Sequence, residues 1–271
     1  MDTKEKFVIT VHKMNTKGIF SISLIAAIIL ATSCGKSHKE IPVTDIEFNP
    51  NKMEIFIGQS LPVTVTTVPE NATNTGELQI NSNKPDIATF ENGKVTGVKA
   101  GSANLVATCG AVRKTAAVKV YWTMTKTGTS YPIKLATGYK IYDSPGVVNY
   151  YDVDFSDGTE HFRMTVLDKD LGKKLDVSKP NPSLDEYDSC FLCSVRNNND
   201  NDITIYLSRD NAPVIRNEMW ETLPITATGY YSLQLVTGKG YVADIDVSLS
   251  NGQIWKMHYE GPITTKNEGN Y

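Results

Sequence analysis

From Ile41 to Val120, apolar and polar positions alternate in short runs separated by turn-forming residues. This is the period-two pattern of strands half-buried in a β-sandwich. Thr44–Phe48 and Met53–Ile57 are two such runs, and Gly58-Gln59 turns the chain into Leu61–Val68. Within that segment Leu61, Val63, Val65 and Thr67 share one face, because successive strand side chains point to opposite sides. Pro69-Glu70-Asn71 ends the strand, since proline withholds a ladder donor and Asn favours turns. Leu78–Asn81 and Ile87–Phe90 follow, and Asn92-Gly93 is the dipeptide of a two-residue hairpin. Val95–Val98, Ser102–Thr108 and Ala116–Val120 complete about seven strands, with no amphipathic helix of useful length.

The polar stretch Thr123–Ser130 closes this region, and the composition then changes: all thirteen Tyr and all three Trp stand at or after position 121. The alternation continues. Tyr150–Phe155 runs through Asp157-Gly158, a hairpin dipeptide, into Glu160–Leu167. Leu171–Val177 reads as a turn or a short strand. Phe191–Val195 and Ile203–Leu207 flank the polar loop Asn197–Asp202. Tyr230–Val236, Tyr241–Leu249 and, after Asn251-Gly252, Ile254–Tyr259 form a terminal meander. Prolines at 180, 182, 213 and 224 argue against long helices. The fold class expected is all-β: an N-terminal β-sandwich followed by a second β-sandwich or barrel-like domain.

Residues 1–33 carry a different pattern. Lys13 and Lys17 precede an apolar run from Ile19 to Leu30, broken only by Ser21 and Ser23, that ends in Ala31-Thr32-Ser33-Cys34. Basic, apolar and small residues in that order predict a secretion signal. About twelve apolar residues are too few for the ~20 that span a bilayer as a helix. Leu30-Ala31-Thr32-Ser33-Cys34 resembles the lipobox of bacterial lipoproteins. That resemblance implies lipidation of Cys34 as the mature N-terminus, and hence a partner in the membrane through an N-terminal lipid. Gly35 follows where an Asp would imply retention in the inner membrane. The expected location is therefore exported, lipid-anchored and outer-membrane, on the periplasmic or cell-surface face. The organisation reads as a lipoprotein signal peptide over 1–33, a tether over 34–40, a β-sandwich domain over 41–121 and a β-rich domain over 122–271.

The formal net charge is −3. Removing residues 1–33 takes away four Lys and two acids and leaves 23 Lys+Arg against 28 Asp+Glu, net −5. A nucleic-acid partner would demand clustered Lys and Arg, so none is expected. Beyond Cys34, the three cysteines Cys109, Cys190 and Cys193 cannot form a closed disulfide set. Cys190 and Cys193 have CxxC spacing, but a zinc site needs about four ligands, and no second CxxC or nearby His pair accompanies them.

Four segments carry a specific resemblance: Gly58-Gln59-Ser60-Leu61, Val68-Pro69-Glu70-Asn71-Ala72-Thr73, Ser82-Asn83-Lys84-Pro85-Asp86-Ile87-Ala88 and Asn92 through Ala103. In this order, over about 80 residues, they are similar to the bacterial immunoglobulin-like domain, group 2. Ile80 stands where that family usually has Trp. The resemblance implies that the 41–121 sandwich is Ig-like, a module of surface and adhesion proteins serving as a rigid spacer or a binding unit, with no catalytic residues to carry over.

Candidate chemistry is sparse. No catalytic residue, metal site or cofactor is expected: a Gly-x-Ser-x-Gly elbow, a Walker loop and a His-Glu-x-x-His helix are all missing from the sequence. Asp152 with Asp154, and Asp244 with Asp246, alternate so that each pair shares a solvent face instead of flanking a sugar from opposite sides. Asn197–Asp202 offers oxygen ligands for a hard cation but lacks EF-hand spacing, and reads as a turn. The aromatic residues Trp220, Trp255, Tyr150, Tyr151, Tyr230 and Tyr231 are the ligand-binding candidates. Adjacent tyrosines put one ring on each face of a strand, and an exposed ring can stack on a glycan or anchor a surface protein. A binding or adhesion role follows, with the alternatives of an enzyme-accessory or hydrolytic module and of a structural assembly subunit.

Overall fold

The computed structural model describes residues 40–144, 147–185, 189–196 and 203–266. The signal segment, Cys34, the tether up to Lys39 and the Asn197–Asp202 loop lie outside the described residues. The first nine strands are β1 (Asp45–Asn49), β2 (Lys52–Phe56), β3 (Ser60–Pro62), β4 (Thr64–Val68), β5 (Gln79–Ser82), β6 (Ala88–Glu91), β7 (Lys94–Gly97), β8 (Gly101–Cys109) and β9 (Val112–Tyr121). They form a pair β1-β4, a sheet β2-β9-β8-β5 and a sheet β3-β7-β6. In the second of these, β2 runs parallel to β9, Lys52 against Ala117 through Phe56 against Tyr121. The inward sets of these strands, among them Ile46, Met53, Ile55, Val95, Leu105, Ala107, Val118 and Val120, are almost fully buried in one apolar core.

The expected strand Leu61–Val68 is two strands. Ser60–Pro62 pairs with β7, while Thr64–Val68 pairs with β1. Val63 is the step between them, donating its N–H to Gly93 O at 2.9 Å. Pro62 explains the break, because a residue without an N–H cannot continue a central ladder. Asn92 and Gly93 both have positive φ, 50° and 72°, the conformation a two-residue hairpin demands.

The remaining strands are β10 (Thr123–Lys126), β11 (Thr129–Pro132), β12 (Leu135–Ser144), β13 (Val147–Ser156), β14 (Glu160–Leu167), β15 (Leu175–Asp176), β16 (Cys190–Arg196), β17 (Ile203–Leu207), β18 (Val214–Arg216), β19 (Ala227–Val236), β20 (Gly240–Leu249), β21 (Ile254–Gly261) and β22 (Thr264–Lys266). Six build the sheet β11-β10-β21-β20-β19-β15, and seven build β18-β17-β16-β14-β13-β12-β22. Both sheets are open and share one apolar core, so the second domain is a β-sandwich and not a barrel. Aromatic contacts across the core bind the layers: Phe155 with Tyr259 at 5.0 Å, Phe162 with Trp255 at 5.8 Å and Tyr151 with Tyr241 at 6.2 Å between ring centroids.

Two further expectations are corrected here, and one reading left open is resolved. Thr123–Ser130 is not a terminating loop: Thr123–Lys126 pairs with β21 and turns through Thr127-Gly128 into β11, burying Met124 completely. Only one inward residue of that strand is apolar, so its alternation is faint. The hairpin at Asp157-Gly158 has a longer loop than two residues, because Asp157 Oδ1 accepts the N–H groups of both Thr159 and Glu160. Leu171–Val177 contains the two-residue strand β15, preceded by a single 3-10 turn.

Candidate functional site

The six aromatic candidates separate into core and surface. Trp255 is fully buried, with its indole N–H donated to Gln253 Oε1 at 3.1 Å. Tyr231 is equally buried and donates its hydroxyl to Thr165 O at 3.1 Å; burial pushes that hydroxyl well above its ordinary pKa. Tyr151 is buried, donating to Asp168 Oδ1 at 3.1 Å. These three rings point into the sandwich and are unavailable to a ligand, which corrects their assignment. The physical reason is the pleat: in Tyr150-Tyr151 and Tyr230-Tyr231 the second residue takes the inward parity, and Trp255 lies inward with Met257 and Tyr259.

Tyr230 is half-exposed on the outer face of the six-stranded sheet, with the Lys174 ammonium 3.9 Å from its ring centroid. Tyr150 and Trp220 belong to the other outer face. Directly paired residues share a face, and one row of pairs crosses the seven-stranded sheet: Arg216–Thr204–Cys193–Arg163–Asp154–Thr137. Two positions further along their strands, Tyr206, Phe191, Asp152 and Tyr139 stand on that same side, and Tyr150 lies beyond Asp152.

At the β17–β18 end an aromatic cluster forms. Tyr206 stacks on Trp220 with centroids 5.6 Å apart and planes at 29°, and Phe191 lies 6.3 Å from Tyr206. The Arg216 guanidinium sits 5.6 Å from the Tyr206 ring and 5.7 Å from the Trp220 ring. Partial burial pushes the Tyr206 hydroxyl above its ordinary pKa. Trp220 is 63% exposed, and its neighbour Met219 is exposed too.

Trp220 is held there by a tightly bonded turn. Asn217 Oδ1 accepts the Glu221 N–H at 2.9 Å, Asn217 Nδ2 donates to Glu221 Oε2 at 2.8 Å, and Trp220 N donates to Asn217 O at 3.0 Å. Within it Trp220 has φ +62°, the left-handed region that bulky residues avoid at a cost of about 1–2 kcal/mol. An exposed tryptophan kept in an unfavourable backbone conformation contributes little to the core, and its ring is displayed.

At the β12–β14 end, Thr137, Tyr139, Ile141, Tyr150, Asp152, Asp154 and Arg163 line a cavity of about 520 Å³. Asp154 accepts from or pairs with His161 Nδ1 at 3.0 Å. The Arg163 side chain has no hydrogen bond or ion pair with any other described residue. Among the described residues no cluster of three or more His, Cys, Asp or Glu could hold a metal. The cavity and the stacked cluster occupy one face, and this face is the candidate site. Sequence reading missed Tyr139, Phe191, Tyr206, Arg163 and Arg216. The period-two spacing of Tyr150, Asp152 and Asp154 was the signal that could have found half of it; the approach of Trp220 to Tyr206 depends on a turn that no periodicity reveals.

Elsewhere in the sandwich, Glu160 is buried between Lys126 of one sheet and Arg196 of the other, with Lys126 Nζ at 2.7 Å. Burial alone would raise the Glu160 pKa, but hydrogen bonds from both cations outweigh it and hold the carboxyl below its ordinary value. The same burial lowers the Lys126 pKa against the opposing pull of Glu160. All three groups are engaged with one another, which marks a clasp between the sheets.

Residues 42–120 match the family model described as the bacterial Ig-like domain (group 2), so the first sandwich is such a domain. Among solved structures, domains 5-6 of the S-layer protein SbsC align at 15% identity over 82% of this chain and 99% of that one, with a TM-score of 0.27. Domains 4-9 of surface layer protein SbsC align at 12% identity over 83% of this chain and 31% of that one, with a TM-score of 0.25. Drosophila OTK, extracellular domains 3-5, aligns at 9% identity over 83% of this chain and 98% of that one, also with a TM-score of 0.25. No curated protein matches this sequence.

Proposed function

We propose that this protein is a non-enzymatic, lipid-anchored binding protein of the bacterial cell envelope, whose second sandwich engages a glycan or protein ligand on the outer face of its seven-stranded sheet. The observation that carries the binding role is the Tyr206–Trp220 stack, with Trp220 largely exposed and held at positive φ beside Arg216. Rigid aromatic surface flanked by a guanidinium is the usual composition of recognition patches. The Ig-like domain, matched over residues 42–120, serves as spacer between the lipid and the binding domain. The order Lys17, apolar run, Leu30-Ala31-Thr32-Ser33-Cys34 supports the anchor, and Gly35 in place of Asp supports the outer-membrane location.

The test compares the detergent-solubilised full chain with its Trp220→Ala variant on arrays of glycans and of envelope proteins. Saturable binding by the parent chain, lost in a variant of unchanged melting temperature, is the expected result. Equal binding by the two chains would remove this face from consideration. For the anchor, Cys34→Ala is expected to move the protein from the membrane to the soluble fraction and to abolish acyl labelling, because lipid chains contribute about 0.8 kcal/mol per buried methylene.

A further inference from the structure

Resting on that reading of the face, we infer that its ligand is an uncharged linear oligosaccharide long enough to occupy two stations at once. The first station is the Tyr206–Trp220 stack and the second is the cavity holding Tyr139 and Tyr150. From β17 to β13 is three strand steps across the sheet, and to β12 four. At the strand spacing of about 4.8 Å the stations lie roughly 14–19 Å apart, a span that one sugar ring cannot cover.

The chemistry between the stations favours a sugar over a peptide or a charged polymer. Arg163 stands directly against Asp154, which His161 also engages, while Arg216 lies at the stacked cluster and Asp152 in the cavity, so these two guanidinium groups and two carboxylates give the face no single charge to select a charged ligand. Guanidinium groups only donate hydrogen bonds and carboxylates only accept them. A row offering both suits hydroxyl groups, which do both, and the aromatic rings at either end suit the apolar C–H faces of sugar rings. A peptide docked along a sheet would instead use an unpaired strand edge, whereas both stations lie on side chains of the face.

The experiment is calorimetric titration of the detergent-solubilised full chain with cello-, xylo-, malto-, manno- and chito-oligosaccharides, each from monosaccharide to hexasaccharide, and with oligogalacturonates as charged controls. Trp220→Ala and Tyr139→Ala are titrated in parallel, their melting temperatures serving as folding controls. For at least one neutral series, affinity is expected to climb with chain length until both stations are filled and then to level. Each substitution should weaken the longest ligand roughly three- to tenfold, the size of one aromatic contact, and flatten the dependence on length. Length-independent binding that Trp220→Ala still weakens overturns the two-station inference and leaves the face reading standing. So does a preference for oligogalacturonate, which overturns the uncharged ligand. Binding to no sugar, with an envelope protein bound in a Trp220-dependent way, overturns the glycan and keeps the face. Binding to a sugar unaffected by either substitution overturns both readings together.

Discussion

At the scale of single residues, two side chains carry opposite kinds of strain. Trp220 occupies a left-handed backbone conformation that only glycine adopts without penalty. Trp220→Gly relieves about 1 kcal/mol there, so its melting temperature should be no lower than the parent's while ligand binding is lost. Differential scanning calorimetry beside the binding assay checks this, and a marked fall in melting temperature would assign the ring a structural role instead. Glu160 stores electrostatic work. Removing one partner of a buried ion pair costs about 3–5 kcal/mol, so Glu160→Ala should destabilise by roughly that amount in urea unfolding. The pH dependence follows the depressed pKa: the native carboxyl binds its proton more weakly than the unfolded one. Its stabilisation is therefore fully present above the unfolded value of about 4.3 and is lost as pH falls through the lower native value. Acid unfolding of Glu160→Ala should show correspondingly less dependence on pH in that range.

At the scale of elements, the packing of strands on each other fixes which substitutions a sheet accepts. Gly229 of β19 has φ +107°, and a Cβ built there would stand 2.0 Å from Asp246 O of β20. Gly229→Ala should thus part the longest hairpin of the six-stranded sheet and destabilise by about 3 kcal/mol, measurable by thermal unfolding. Strands with dense inward apolar residues were legible in the sequence: Phe191–Val195, Ile203–Leu207 and the meander from Tyr230 to Tyr259 all form. Strands such as Thr123–Lys126, with one inward apolar residue, and Leu135–Ser144, with Gly138 where a neighbouring strand approaches, left no clear period. For the site, the sequence could say that one tyrosine of each adjacent pair faces outward but not which one, since a register slip of one residue exchanges the faces. Trp255 is inward for the same reason: only its pairing with Val247 and its packing on Phe162 decide its side.

At the scale of the whole molecule, the Ig-like domain and the second sandwich are joined by one residue, since β9 ends at Tyr121 and β10 begins at Thr123. Trp122 between them is pinned, its indole N–H donating to Glu260 O at 2.6 Å and its ring set edge-on to His258 at 5.0 Å. A junction this short, with its side chain docked, leaves little room for a hinge. The two cores remain distinct all the same, one reaching from Val43 to Val120 and the other from Met124 to Ile263. The parallel pairing of β2 with β9 has a mechanical consequence. If the chain is held at Glu40 and pulled through the second sandwich, tension passes first into β1, held by its five pairs with β4, then reaches the start of β2 and leaves at the end of β9. In parallel strands those points lie at opposite ends of the ladder, so the load acts along the strands and all five rungs from Lys52–Ala117 to Phe56–Tyr121 bear it together instead of peeling one by one. Such a ladder yields in shear, and the Ig-like domain should resist extension along this axis at forces that would readily unzip an antiparallel hairpin pulled from its open end.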